Sequence, residues 1–314
     1  MSVESKSVVV GWSLEERIGT RATGALVDAL NDNRAWLLPG DASRFDGLFD
    51  DARFRTALQA CAGRNNAFGA VMGDQFGDGL TFAEPIAVDA VDDHLARAHT
   101  ICATNISAFD EELAAATRQM ASSLGGLGRI RFNAYRSPEG AHTPMHTDVR
   151  ASISIQLQGT KRWRYQTKPS RPYPESNAQI DRWGDVVWMK PVAGVKPPAA
   201  PVDAQLAEVV LGPGDLLCVP AGAWHEVMTE REGLALNLSV RPTSAIELFP
   251  MLVARAFGPR EHWRQGVPLT AGAEPGSSVP DEVVRHVRER VAELAEWANG
   301  LDAAQLARAL WDRR

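Results

Sequence analysis

The chain has 314 residues, 45% of them hydrophobic and 23% charged, with a formal net charge of −6. That composition belongs to a soluble globular protein with a sizeable core and excludes a disordered or collagen-like chain. An acidic balance, with arginines scattered along the chain, argues against a general nucleic-acid binder, whose basic excess gathers on one face.

In chain order, Ser13 and Glu16 form a capping-box pattern that predicts a helix over residues 14–31, with Leu14, Ile18, Ala22, Leu26 and Leu30 on one face. A short strand follows at residues 35–38, ended by Pro39-Gly40, then a helix at 51–62 and a strand at 67–72 in a Gly/Asp-rich stretch. Residues 91–98 read as helical and 100–106 as extended. Residues 109–124 make a strong helix stopped by Gly125-Gly126. From Gly128 the hydrophobic period becomes two. Strands are expected at 130–135, 152–158, 162–166, 185–189, 208–211, 215–219, 225–229 and 234–240, a number of short strands that indicates a barrel or sandwich. After Pro242 helices return at 245–257, 281–299 and 303–311. The expected division is an α/β flank (1–125), a β core (126–242) and a helical region (243–314).

Cys61, Cys102 and Cys218 are odd in number and far apart, which suits neither a disulfide framework nor a CxxC metal pair and points to a reducing cytoplasm. Residues 1–10 show no signal-peptide pattern, and no run approaches ~18 apolar residues, so no membrane association is expected.

The chemistry concentrates in His142-Thr143-Pro144-Met145-His146-Thr147-Asp148. In extended chain, side chains at i and i+2 share a face, so His146 and Asp148 present an imidazole and a carboxylate together. His225 supplies a third ligand. It follows a Gly212-Pro213-Gly214-Asp215 turn, a buried strand and a Pro220-Ala221-Gly222 turn that brings the chain back. Two histidines and one carboxylate on one face leave metal positions open, which suits non-haem Fe(II). Glu226 falls on the opposite face from His225 by parity, and His142 is the competing ligand. In residues 152–158 and 234–240 one face is Ile/Leu/Val and the other small and polar. The polar face either lines a cavity or meets water. Trp163, Trp183, Trp188 and Trp224 either line a cleft or fill core, and Met189 and Met228 are expected as core.

Several motifs agree in order and spacing: Asn133-x-Tyr135; Thr143-Pro144-x-His146-x-Asp148; Gln156-x-x-Gly159-x-Lys161-Arg162-Trp163; and Gly214-Asp215-x-x-x-x-Pro220-x-x-x-Trp224-His225. Over about half the chain this pattern resembles the JmjC/cupin-4 family of Fe(II)- and 2-oxoglutarate-dependent oxygenases. The resemblance implies a mainly β fold, a double-stranded β-helix (cupin jelly roll) with N-terminal α/β elements and C-terminal helices. It implies His146, Asp148 and His225 as iron ligands and Lys161 as the cation for the distal carboxylate of 2-oxoglutarate. Further cosubstrate contacts would come from Thr143, Asn133, Tyr135, Ser152 and Asn237. Parity supports Lys161, which shares its face with Trp163 and Tyr165 while Arg162 and Arg164 take the other.

The implied partners are 2-oxoglutarate, O2 and a substrate of unidentified structure, with no nucleic acid and no membrane. The implied homodimer through the C-terminal helices would use the stripe Val284, Val287, Val291, Leu294 and Trp297, which packing within the chain would cover equally well. The expected activity is hydroxylation of an amino-acid, peptide or small-metabolite C–H bond, giving succinate and CO2. The alternatives are a hydroxylase of ribosomal-type protein substrates, a cupin enzyme that uses no 2-oxoglutarate, and a non-catalytic metal-binding cupin.

Overall fold

A computed structural model describes residues 13–61, 69–72, 84–85, 87–124, 128–181, 183–269 and 278–311. The chain divides into two compact units, Met1–Arg241 and Pro242–Arg314.

The first unit opens with α1 (Leu14–Ile18), α2 (Thr20–Asn31), β1 (Trp36–Leu38), α3 (Asp51–Cys61), β2 (Gly69–Met72), β3 (Glu84–Pro85), α4 (Val91–Ala96), β4 (Thr100–Ala103) and α5 (Glu111–Ser123). The single helix expected over 14–31 is two, because Gly19 adopts φ 82° and ψ 153°, a conformation outside the helical region that glycine tolerates. Ser13 makes no side-chain cap there. The cap that does form is on α5, where the Asp110 carboxylate accepts the Leu113 N–H at 3.0 Å. The Gly125-Gly126 stop lies outside the described residues.

The β core follows as β5 (Gly128–Ser137), β6 (His142–Thr147), β7 (Ala151–Gln166), β8 (Ala178–Ile180), β9 (Val186–Trp188), β10 (Leu206–Leu211), β11 (Leu216–Val219) and β12 (His225–Pro242). The strands expected at 152–158 and 162–166 are halves of β7, and those at 225–229 and 234–240 are halves of β12. β7 continues through Gly159 as one strand. The first half of β7 pairs with β11 and with the end of β12 (Leu216↔Ile155, Asn237↔Ser154). Its second half pairs with β10 and the start of β12 (Val209↔Trp163, Val227↔Trp163). Register shifts between Thr229 and Ala235 interrupt the β7–β12 ladder. Irregularities of this kind bend a strand and raise its twist, so one strand can serve both faces of a jelly roll.

Burial decides the parity question. Ile153, Ile155, Leu234, Leu236 and Leu238 belong to one buried cluster with Leu26, Phe54, Leu113 and Phe132, so the apolar face of the barrel is covered by the N-terminal helices. Each such side chain contributes on the order of 1.5–3 kcal/mol on burial. The alternate residues Ser152, Ser154, Asn237 and Ser239 are also buried. They face inward rather than water.

The second unit consists, among the described residues beyond Pro242, of α6 (Ala245–Phe257), α7 (Glu261–Arg264), α8 (Asp281–Asn299) and α9 (Ala303–Trp311). Ser244 and Glu247 form a capping box at the start of α6. The Phe257 ring packs 4.1 Å from that of Trp263 and 5.4 Å from that of Trp297. Among the described residues no helix is long and apolar enough to cross a membrane.

Candidate metal centre

The register of β12 on β6 sets His225 opposite His146. Their rings lie 4.2 Å apart, centroid to centroid. Asp148 follows the end of β6 by one residue, and ligand-type atoms of His146, Asp148 and His225 all lie within 4.8 Å of one another. This is the one group of its kind among the described residues. His142 is not part of it. Its Nε2 lies 3.4 Å from Glu226, which also accepts from Arg164 at 2.6 Å, so Glu226 faces away from the centre as parity requires.

Each imidazole is oriented from behind. His146 Nδ1 lies 2.8 Å from the Pro144 carbonyl and His225 Nδ1 lies 3.0 Å from the Ala223 carbonyl. A carbonyl only accepts, so both Nδ1 atoms carry the hydrogen and both Nε2 atoms present a lone pair, the tautomer a metal needs. Burial and the neighbouring His146 push the His225 imidazolium down to about 4, which keeps that ring neutral near pH 7. For Asp148, burial alone would raise the pKa, but Arg150, the two imidazoles and the Asn177 hydrogen bond outweigh it and hold the carboxyl below its usual range. Two imidazoles that bind through Nε2 and an ionised carboxylate make a donor set that fits a divalent ion.

Asn177 was not foreseen from the sequence. Its Nδ2 donates to Asp148 Oδ1 at 2.6 Å, and its Oδ1 accepts the Val149 N–H at 2.9 Å. One carboxylate oxygen is thereby fixed and the other left for coordination. The hairpin that carries His225 is braced in the same manner. The Gly222 N–H donates to the Asp148 carbonyl at 2.8 Å, Asn33 Nδ2 to the Ala221 carbonyl at 3.1 Å, and Trp224 Nε1 to the Ala199 carbonyl at 2.9 Å. Gly222 has φ 84°, and a Cβ there would stand 1.9 Å from the Arg171 carbonyl oxygen, so only glycine fits.

The centre opens into a cavity of about 190 Å³. Of the residues expected to hold a cosubstrate, Lys161, Thr143, Tyr135, Ser152 and Asn237 line it. Asn133 does not. Its carboxamide oxygen accepts the Asn105 N–H at 2.9 Å, which engages the side chain elsewhere. Lys161 is 6% exposed and, among the described residues, has no carboxylate or hydrogen-bond partner. Its Nζ stands over the Tyr135 ring, 5.7 Å from the centroid. Burial lowers its ammonium to about 8. Asn237 Nδ2 donates to the Ser152 hydroxyl. On the opposite face of β7, Arg162 pairs with Glu208 and Glu230, and Arg164 pairs with Glu226 and Asp203, the solvated face that parity assigns them.

The aromatic residues separate. Trp163 lines the cavity and stacks on His225 at 5.9 Å, with its buried indole N–H lacking an acceptor. Trp224 is fully buried, whereas Trp183 is 72% exposed. Neither Met189 nor Met228 is core: both are exposed, and Met189 lines the cavity. Arg150, also unforeseen, lines it too. A signal for it existed, since it stands at i+2 from Asp148.

Comparison with known proteins agrees with this geometry. The JmjC domain family matches residues 106–248. Over 192 residues the chain is 23% identical to the bifunctional lysine-specific demethylase and histidyl-hydroxylase NO66 of Drosophila persimilis, covering 56% of this chain and 25% of that protein. It is 29% identical over 154 residues to the protein of that name from Drosophila yakuba, covering 45% and 20%. The chain thus spans a quarter or less of these relatives. Among solved structures, ycfD of Escherichia coli is similar with a TM-score of 0.50 and 19% identity, over 83% of this chain and 64% of that one. The same protein, described as a ribosomal oxygenase in complex with cobalt and succinic acid, gives a TM-score of 0.50 and 19% identity over 83% and 63%. These likenesses establish a shared fold.

Proposed function

Since residues 106–248 are a JmjC domain, we propose that this chain is an Fe(II)- and 2-oxoglutarate-dependent oxygenase that hydroxylates a C–H bond of an amino acid, peptide or small metabolite. Its catalytic core is the stretch 126–242, on which the flank 1–125 packs. The observation that carries the reading is a pairing within one cavity. A His/Asp/His set with both Nε2 atoms turned to the cavity faces the same space as a buried ammonium that has no counter-ion among the described residues. A keto-diacid satisfies both, with its keto-acid end at the metal and its distal carboxylate on Lys161.

His146, Asp148 and His225 would hold the iron, and Lys161 would hold 2-oxoglutarate with Thr143, Tyr135, Ser152 and Asn237. Bound iron and 2-oxoglutarate would let O2 act as the oxidant, one oxygen atom converting C–H to C–OH and the other entering succinate as CO2 leaves. The chain's own part is orientation and exclusion of water. Trp163 stacks against His225 and walls the cavity, and its indole N–H, without an acceptor among the described residues, is a donor open to a ligand oxygen. A second reading, hydroxylation of a protein residue, draws on the relatives described as a histidyl-hydroxylase and a ribosomal oxygenase. On α8, Val284, Val287 and Val291 are exposed and offer an apolar stripe for a homodimer, which sedimentation at micromolar concentration would test.

The deciding experiment is succinate formation by purified protein with and without Fe(II), alongside 2-oxoglutarate binding. Protein that holds iron and binds no 2-oxoglutarate at millimolar concentration would make Lys161 a structural cation and leave a metal-binding cupin. Turnover that persists at near-normal rate in Lys161→Met would indicate a cupin enzyme independent of 2-oxoglutarate.

A further inference from the structure

We propose that Arg150 is the substrate-recognition residue of this cavity and that it receives a carboxylate on the substrate. The inference rests on the oxygenase reading and deepens it by naming a chemical class.

Arg150 lies in the link between β6 and β7, two residues after Asp148, and lines the cavity shared by the metal centre and Lys161. The lining therefore holds two side-chain cations and a single carboxylate, that of Asp148. Among the described residues Arg150 forms no hydrogen bond and no ion pair. Surface arginines of this fold are treated differently: Arg162, Arg164 and Arg171 each engage at least one carboxylate. Depth separates the two cavity cations, because Lys161 is buried and Arg150 is exposed.

Charge gives the class of ligand. A ferrous ion, the Asp148 carboxylate, doubly charged 2-oxoglutarate and the Lys161 ammonium together carry no net charge. Arg150, which shares the field of the Asp148 carboxylate, then adds one positive charge beyond that balance among the described residues. One carboxylate supplies the balance and matches the guanidinium fork with two parallel hydrogen bonds. A phosphate monoester, at about −1.5 to −2, would overshoot, and a cationic side chain would be repelled. Met189, 43% exposed and lining the same cavity, adds an apolar contact. The substrate is thus a carboxylate next to an apolar body, as in an amino acid or a peptide with a free C-terminus.

The test uses the full chain loaded with Mn(II) and 2-oxoglutarate, which binds without turning over. A panel of N-acetyl amino acids is compared with the same panel capped as carboxamides, and approach to the metal is read from paramagnetic relaxation of the probe protons. The expected result is that free acids are relaxed more strongly than their amides, by roughly tenfold for the best member, the worth of a charge-assisted hydrogen bond. Arg150→Gln erases the difference, Arg150→Lys keeps part of it, and the 2-oxoglutarate Kd changes by less than about twofold in both. Acids and amides behaving alike in the wild type, including no relaxation of either, overturns the proposal without reference to any variant. A loss of 2-oxoglutarate affinity in Arg150→Gln as large as in Lys161→Met assigns the guanidinium to the cosubstrate and also overturns it. Wild-type protein that binds no 2-oxoglutarate defeats the oxygenase reading itself, seen in the titration before any probe is added, and this proposal falls with it.

Discussion

The barrel strands and the segment between β7 and β10, residues 167–205, make opposite contributions to one centre. The strands supply the functional groups: His146 on β6, Lys161 and Trp163 on β7, His225 and Asn237 on β12. The segment has little regular structure and presents Asn177 to Asp148, the Ala199 carbonyl to Trp224 and the Arg171 carbonyl against Gly222. A regular sheet fixes which side chains share a face, but the direction of a carboxylate that lies beyond a strand end needs a partner from elsewhere. Ligand identity is therefore written in periodic sequence, and ligand orientation in aperiodic sequence.

Removing a ligand tests the first half of that statement and should have the largest effect. In His225→Ala the expected outcome is loss of stoichiometric iron and of succinate formation to background, with the fold retained. The imidazole it deletes is buried and neutral, so the deletion itself creates no new uncompensated charge in the barrel. Metal analysis and a thermal melt on the same sample separate loss of metal from unfolding. Full iron content in this variant would remove His225 from the centre.

Gly222→Ala comes next, and it attacks the junction of the two regions. A Cβ at 1.9 Å from the Arg171 carbonyl, on a backbone with φ 84°, cannot be accommodated without moving either the hairpin or the segment. Backbone strain of this sort costs about 1–3 kcal/mol, and a steric clash adds to it. The expected result is a lowered melting temperature together with weaker iron binding, since Ala223 and His225 move with the turn. An unchanged melt would show that the segment is loosely seated.

Asn177→Ala isolates the brace. The Asp148 carboxylate keeps its place in the chain but loses the donor to Oδ1, and Val149 N–H loses its acceptor. Outer-shell partners of metal ligands are worth about 10- to 100-fold in metal affinity or activity. A loss in that range, with little change in overall stability, is expected from iron titration. A change below about threefold would reduce Asn177 to a loop contact.

The same division explains what could be read from the sequence. Parity pairs His146 with Asp148, sets Lys161 apart from Arg162 and Arg164, and separates a polar from an apolar face on each long strand, because an extended strand repeats every two residues whatever its length. Whether the polar face met a cavity or water stayed open until burial was known. The two long strands were divided at Gly159 and near Gly233, since glycine in a strand pattern looks like an end when it marks a bulge. The helix over 14–31 failed in the other direction, where one glycine with positive φ breaks a continuous apolar face. Asn177 and Asn33 carried no signal, as their partners lie 29 and 188 residues away and neither belongs to a periodic run. Asn133 was placed at the cosubstrate by the resemblance, where it shares a strand face with Tyr135. Its hydrogen bond to Asn105 shows that parity fixes a face and not a partner.

The smallest effect is a pH dependence, and it sharpens the role of the barrel's own cation. Without a ligand, burial holds the Lys161 ammonium at about 8 rather than near its ordinary 10.5. Pairing with a carboxylate favours the protonated form, so the complex has the higher pKa and binding takes up a proton wherever the free protein has lost it. The sign follows. Below about pH 8 the ammonium is already present and 2-oxoglutarate affinity is flat with respect to this group. Above it, affinity falls roughly tenfold per pH unit until the pKa of the complex is reached. Lys161→Arg removes this dependence, because a guanidinium keeps its proton throughout that range. Calorimetry of the Mn(II)-loaded protein in buffers of different ionisation enthalpy, between pH 7 and pH 10, measures the affinity and the proton uptake together. A wild-type Kd that stays level across this window, with no proton taken up, would mean that the distal carboxylate rests on some other group, and Arg150 is the one other side-chain cation lining the cavity among the described residues.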